Sequence, residues 1–187
     1  YGFSLVSASD TIVWLADGTY PISNTLSIPN GATVEGTFDP ITYGHLDIII
    51  RALNLFDKLI ITIAESSIKK PLFDLDERIE LIKEATDDLK NLEVEHTSGL
   101  IVNFAKKKGA IALVRGLRFV SDFEFEFQMA WMNRHLDDSI ATIFLMPHRR
   151  YSHLNSTVIK DIAELGGDID VFVPPGVSNR LKEKFDK

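Results

Sequence analysis

From residue 36 onward, apolar runs of strand length alternate with segments whose apolar residues recur at helical spacing, and this alternation limits the fold more than any other feature of the sequence. Leu46, Ile49, Ile50, Leu53 and Phe56 mark a first helix, which leads into the run Leu59-Ile60-Ile61-Thr62-Ile63. Asp74, with Glu77 three residues on, has the form of a capping box, and Leu75, Ile79 and Ile82 share one face of the helix it opens. A strand at 92–95 follows, then a helix at about 100–108 closed by Gly109. The next run, Ala110-Ile111-Ala112-Leu113-Val114, is apolar throughout, as suits a parallel strand covered on both faces. Ser121 and Glu124 repeat the capping-box pattern and open a helix to about residue 135. A strand at 140–146, a helix at 156–165 stopped by Gly166-Gly167, and a short helix at 177–185 complete the series. The pattern predicts an α/β fold: a Rossmann-like, doubly wound parallel sheet of five strands, helices on both faces, and ligands at the carboxyl ends of the strands.

Residues 1–35 follow a different grammar. Short β-type pieces, Thr11-Ile12-Val13-Trp14-Leu15, Leu26-Ser27-Ile28 and Ala32-Thr33-Val34, are separated by the turn dipeptides Asp17-Gly18 and Asn30-Gly31, with no helical pattern. The expected organisation is a β-rich N-terminal extension over 1–35 and one domain over 36–187, which a chain of 187 residues with 45% apolar content can support.

Charge and cysteine content remove several classes of function. A net charge of −7 disfavours a nucleic-acid partner, which needs a basic face to neutralise phosphates, so an anionic ligand must be held by a local cluster. The absence of cysteine excludes disulfides, thiolate metal sites and cysteine nucleophiles. No apolar run approaches the roughly 18 residues of a spanning helix. The start Tyr1-Gly2-Phe3-Ser4-Leu5 lacks the basic and apolar stretches of a secretory signal, so a soluble, cytoplasmic protein without membrane partners is expected.

The local cluster is visible at the predicted strand ends. Gly36-Thr37-Phe38-Asp39-Pro40 follows the first strand, Lys69-Lys70 the second, Arg115-Gly116-Leu117-Arg118 the fourth and His148-Arg149-Arg150 the fifth. A Gly-Thr turn, with Thr42-Tyr43-Gly44-His45 leading into a helix, offers backbone amides, a helix N-terminus and an imidazole to a polyphosphate. Nucleotidyl transfer requires mainly positioning and charge stabilisation, which histidine, lysine and arginine can provide. Neither a Walker A sequence nor Gly-x-Gly-x-x-Gly is present, which disfavours P-loop and dinucleotide-binding readings.

The segment from Gly36 to His45 resembles the signature of the phosphopantetheine adenylyltransferases, members of the (H/T)-x-G-H nucleotidyltransferase superfamily. Further segments resemble that family in order and spacing: Ser67-Ile68-Lys69-Lys70-Pro71, the stretch from Arg115 to Glu124, Phe144-Leu145-Met146-Pro147, and Gly166-Gly167-Asp168 with Phe172-Val173-Pro174-Pro175. The resemblance covers about 150 of the 187 residues. It implies adenylyl transfer from ATP to 4′-phosphopantetheine, giving dephospho-CoA and pyrophosphate, with Mg²⁺ on the ATP phosphates. It assigns His45 to the transition state at the α-phosphate, Thr37 to orientation of the acceptor phosphate, and Lys69 and Arg115 to the phosphates. Phe38, Gly116, Leu117, Arg118 and Glu126 would contact ATP, and Tyr151, Ser152, His153, Leu154, Asn155, Ser156 and Thr157 would close over it. Ile101 would line the pantetheine arm, and the stripe Phe123, Phe127, Met129 and Ala130 would be core or subunit interface in a homo-oligomer, a hexamer by resemblance. No residue is assigned to a metal.

Plainer readings remain for some of these residues. His96 and His135, among polar neighbours, read as surface histidines, and Lys69-Lys70 alone would read as a solvated turn. Glu126 lies in a stretch that an ordinary amphipathic helix explains, so its role rests on resemblance. Residues 11–36 resemble a coil of a right-handed parallel β-helix of the pectate-lyase kind, which implies a fusion or an engineered chimera with its junction near Gly36. Ala32-Thr33-Val34-Glu35 then either supplies the first strand or leaves the site without its platform, with Glu35 close to a polyphosphate in the first case. His153 and Asn155 stand where the family usually has Phe and Ser. The alternatives are another nucleotidyltransferase of the superfamily and a non-catalytic scaffold.

Overall fold

The computed structural model describes residues 28–64 and 71–185. Twelve elements follow one another: β1 (Ile28–Gly36), α1 (Tyr43–Leu53), β2 (Phe56–Ala64), α2 (Leu75–Ala85), β3 (Leu92–Thr97), α3 (Ile101–Lys107), β4 (Ala110–Gly116), α4 (Val120–Leu136), β5 (Ala141–Leu145), a 3₁₀ turn (Arg149–Tyr151), α5 (Ser156–Glu164) and α6 (Pro175–Phe185). All strand pairs are parallel, in the order β3-β2-β1-β4-β5. The expected five-stranded, doubly wound sheet is therefore present.

The central strand of that sheet is β1, which begins at Ile28, upstream of the expected domain boundary at residue 36. Asn30-Gly31, read from sequence as a turn, lies inside β1. The register against both neighbours shifts at Gly31, so the dipeptide forms an irregularity within a continued strand rather than a reversal. Beyond it, Ala32, Thr33 and Val34 pair with Leu59, Ile60 and Ile61 on one side and with Ala112, Leu113 and Val114 on the other. This stretch supplies the first strand and the platform for the Gly-Thr turn. The remaining β-helix resemblance, over 11–27, lies outside the described residues.

Alternation along the strands divides the interior into two layers. Ala32, Val34, Leu59, Ile61, Ile63, Ala112 and Val114 face a large core with Ile48, Ile49 and Ala52 of α1, Leu81 and Ile82 of α2, Ile159 of α5 and Leu181 of α6. Leu113 faces a smaller core with Ile101, Val102 and Ala105 of α3 and Ile140. Arg115, two residues beyond Leu113, shares that second face.

Two helix starts show how the sequence signals resolve. Asp74 caps α2 as expected: its carboxylate accepts from Glu77 N–H at 2.9 Å, and the Glu77 side chain accepts from Asp74 N–H at 2.9 Å. The expected Ser121/Glu124 box does not form. Helix α4 starts at Val120 with Phe119 as its N-cap, so Ser121 already lies inside the first turn, and Asp122, the third helical residue, accepts from the N–H groups of Arg118 and Phe119. Only Asn133 of α4 is buried; Phe123, Phe127 and Met129 are exposed, so the stripe read as core or subunit interface is surface within this chain.

Candidate active site

The strand order reverses between β1 and β4, and such a switch point opens a crevice at the carboxyl ends of the strands. A cavity of about 490 Å³ lies there, lined among others by Gly36, Thr37, His45, Arg115, Gly116 and Arg118. Its volume suits a small-molecule ligand.

The Gly36-Thr37-Phe38 turn is fixed from several directions. Phe38 has φ 45°, and its ring lies so close over Gly36 that a Cβ there would come within 3.0 Å of it, which explains the glycine. Arg78 of α2, itself buried, donates from Nη1 to the Thr37 carbonyl at 3.1 Å. The Asp39 carboxylate accepts from the N–H groups of Leu72 and Phe73 at 3.1 and 3.0 Å and pairs with Lys160 of α5. Burial alone would raise the Asp39 carboxyl, but the Lys160 hydrogen bond and the two backbone N–H groups hold it below its usual range.

Helix α1 begins at this turn with its N-terminus towards the cavity. Thr42 is its N-cap, and the capping partner three residues on is His45 rather than a glutamate. The Thr42 backbone N–H donates to His45 Nδ1 at 3.1 Å, and the Thr42 hydroxyl lies 3.2 Å from the same nitrogen. An Nδ1 that accepts a backbone hydrogen bond carries no proton in the neutral ring, so the proton resides on Nε2. Burial, with the Arg118 charge adding to it, pushes the imidazole pKa down to about 4. At neutral pH the site therefore holds an uncharged histidine with an N–H donor, packed edge-on to Phe38 at 5.1 Å.

Arg115, at the end of β4, is held between two glutamates. Its Nε and Nη2 donate to the two Glu126 carboxylate oxygens at 2.8 Å each, and its Nη1 donates to the Glu35 carbonyl and carboxylate at 3.0 Å each. Burial would lower the guanidinium pKa, but the Glu126 hydrogen bond and the Glu35 charge raise it above its ordinary value. Burial pushes the Glu35 carboxyl up, against the downward pull of Arg115, and the Glu126 charge adds to the rise. Arg118 donates to the Leu154 carbonyl at 2.9 Å and pairs with Asp122.

The segment after β5 closes over the turn. Asp47 of α1 accepts from His148 N–H at 2.7 Å, Tyr151 stacks on Tyr43, and the Ser156 hydroxyl donates to the Pro40 carbonyl at 2.9 Å. Of the residues assigned from sequence, Thr37, Phe38, His45, Arg115, Gly116, Arg118, Glu126, Tyr151, Leu154, Asn155, Ser156 and Thr157 line the one cavity. Leu117, Ser152 and His153 do not. Leu117 is held by its backbone N–H to Leu145, Ser152 donates to the Arg149 carbonyl, and the His153 ring meets Phe172 beside a second hollow. Ile101 belongs to the smaller core, and Lys69 lies outside the described residues. Sequence reasoning missed Arg78, Asp39 and Thr42 as supports. A carboxylate before the capping box and an N-cap threonine were the available signals for two of them; Arg78 gave none.

A cytidylyltransferase-like family model matches residues 33–162. A phosphopantetheine adenylyltransferase of Caldanaerobacter subterraneus subsp. tengcongensis is 53% identical over 156 residues, covering 83% of this chain and 98% of that protein. One from Thermodesulfovibrio yellowstonii is 56% identical over 153 residues, covering 81% and 95%. Among solved structures, a putative nicotinate-nucleotide adenylyltransferase from Vibrio parahaemolyticus superposes with a TM-score of 0.63 at 18% identity, covering 87% of this chain and 97% of that one. A bifunctional NMN adenylyltransferase/ADP ribose pyrophosphatase from Francisella tularensis gives 0.61 at 20% identity, covering 84% and 49%. At these identities the structural likeness concerns the fold.

Proposed function

The chain belongs to the phosphopantetheine adenylyltransferases, within the cytidylyltransferase-like family, and from that membership we propose that the cavity between β1 and β4 carries adenylyl transfer from ATP to 4′-phosphopantetheine. The products are dephospho-CoA and pyrophosphate. An oxygen of the acceptor phosphate attacks the α-phosphorus of ATP in line, the new P–O bond forms, and the bond to the β-phosphate oxygen breaks as pyrophosphate leaves.

The observation that carries this reading is the state of His45. A neutral imidazole whose Nε2 proton has no partner among the described contacts, at the N-terminus of α1, donates to an α-phosphate oxygen as charge grows there without any prior proton transfer. The Gly36-Thr37 turn, pinned by Arg78 and Asp39, offers Thr37 to the acceptor phosphate. Arg118, Phe38, Tyr151 and the 154–157 segment border the nucleotide side, and Arg115 and Lys69 take the phosphates. ATP would bring Mg²⁺, which would neutralise charge on its phosphates; among the described residues no group of three His, Asp or Glu is placed to hold an ion, and the site carboxylates Glu35 and Glu126 are turned to Arg115. ATP as co-substrate favours the cytoplasm as the compartment.

A homo-oligomer, a hexamer as in the family, accounts for the exposed apolar surface of α4, where Phe123, Phe125, Trp131 and Met132 stand 44 to 63% open. Light scattering would test it, a monomeric mass being the contrary result. The reaction is tested by pyrophosphate release with MgATP and 4′-phosphopantetheine, omitting each in turn. Release that needs both supports the assignment. Release driven instead by nicotinamide mononucleotide would reassign the acceptor, and no release with any acceptor would favour a non-catalytic scaffold.

A further inference from the structure

We propose that Glu35 is a specificity-determining residue, an internal anion seated on Arg115 that the acceptor's phosphate must displace before it can bind. This inference rests on the reading of Arg115 as part of the phosphate site.

A guanidinium has five N–H donors. Here Nε and one Nη2 hydrogen serve Glu126, and both Nη1 hydrogens serve Glu35, one to its carbonyl and one to its carboxylate. One Nη2 hydrogen remains among the described contacts. The outer edge of the guanidinium, formed by Nη1 and Nη2, is the edge that would grip a phosphate with two parallel hydrogen bonds. Glu35 keeps half of it occupied. The three charges Glu35, Arg115 and Glu126 sum to −1, so an incoming dianion meets repulsion until one carboxylate leaves.

Glu35 is the carboxylate able to leave. It holds Arg115 through one carboxylate oxygen, whereas Glu126 holds it through two. Glu35 lines the cavity directly before Gly36 and Thr37, and its side chain keeps 21% of its surface open to solvent against 14% for Glu126. Its backbone carbonyl stays on Nη1 when the side chain swings away, so Arg115 keeps its place. A phosphate monoester, with two charges and several acceptor oxygens, competes successfully for the freed edge; an acceptor lacking the phosphate does not. The exchange raises selectivity for a phosphorylated acceptor and lowers affinity for it.

The test is calorimetric titration of the full chain and of Glu35→Gln with 4′-phosphopantetheine, together with steady-state kinetics. Glutamine keeps the shape and removes the charge. Binding tightened roughly threefold to tenfold is expected, with KM for the acceptor falling by more than either kcat or KM for ATP changes. Unchanged or weaker binding, or no binding by either protein, overturns the proposal; Glu35→Ala serves the same comparison if the glutamine variant fails to fold. Tightened binding without pyrophosphate release by the unaltered chain would keep the competition and refute the reaction. Normal release with unaltered binding would do the reverse.

Discussion

The backbone N–H of Thr42 points at Nδ1 of His45 from 3.1 Å, so the group that caps helix α1 also fixes which nitrogen of the imidazole faces the cavity with a proton. A glutamate at that position would complete the same capping box but leave the site with a carboxylate where the proposed reaction places a phosphate. The helix start and the proposed catalytic donor are thus one structural device.

That device has a signature in acid. Unfolded, the imidazole titrates near 6.5; folded, it titrates at about 4. Between these values the unfolded state binds the additional proton, so stability falls as pH drops from 6.5 towards 4, and above 6.5 this group contributes no pH dependence. Urea midpoints at pH 7 and pH 4.5 should therefore converge more in His45→Gln than in the unaltered protein. Equal acid sensitivity in the two would contradict the depressed histidine.

Asp39 ties the turn after β1 to the start of α2 and to α5. Asp39→Ala strands two backbone N–H groups, one of them buried, while Lys160 retains access to water. A loss of about 2 kcal/mol is expected, or roughly 4–8 °C in Tm, together with lower turnover because the Thr37 turn loosens. Calorimetry checks the first and a pyrophosphate assay the second; an unchanged Tm would show that the carboxylate pins nothing.

Gly36→Ala should act on the nucleotide. The added Cβ meets the Phe38 ring at 3.0 Å, and Phe38, buried and at φ 45°, has no room to yield without moving against His45. A destabilisation of roughly 1–3 kcal/mol is expected, with a several-fold rise in KM for ATP. Kinetics indistinguishable from those of the unaltered protein would mean that the ring position is immaterial.

Much of this architecture was readable because its signals are local. The apolar runs of β2 and β4, the Asp74 box and the Gly36-to-His45 turn each depend on neighbours in sequence. What escaped is long-range. Asn30-Gly31 reads as a turn in isolation, yet pairing of β1 with strands on both sides overrides that preference and absorbs the dipeptide as an irregularity. Arg78 reaches the Thr37 carbonyl across 41 positions, and Arg115 reaches Glu35 across 80, distances over which no periodicity carries information. The α4 aromatics show the complementary failure: periodicity marks a stripe as apolar without saying whether this chain or another copy covers it.

The proposed role of His45 is to stabilise charge at the α-phosphate. The most direct measurement is the single-turnover rate of dephospho-CoA formation from MgATP and 4′-phosphopantetheine in His45→Ala, with circular dichroism confirming the fold. The rate should fall about a hundredfold to a thousandfold. A folded variant turning over at the unaltered rate would contradict the assignment.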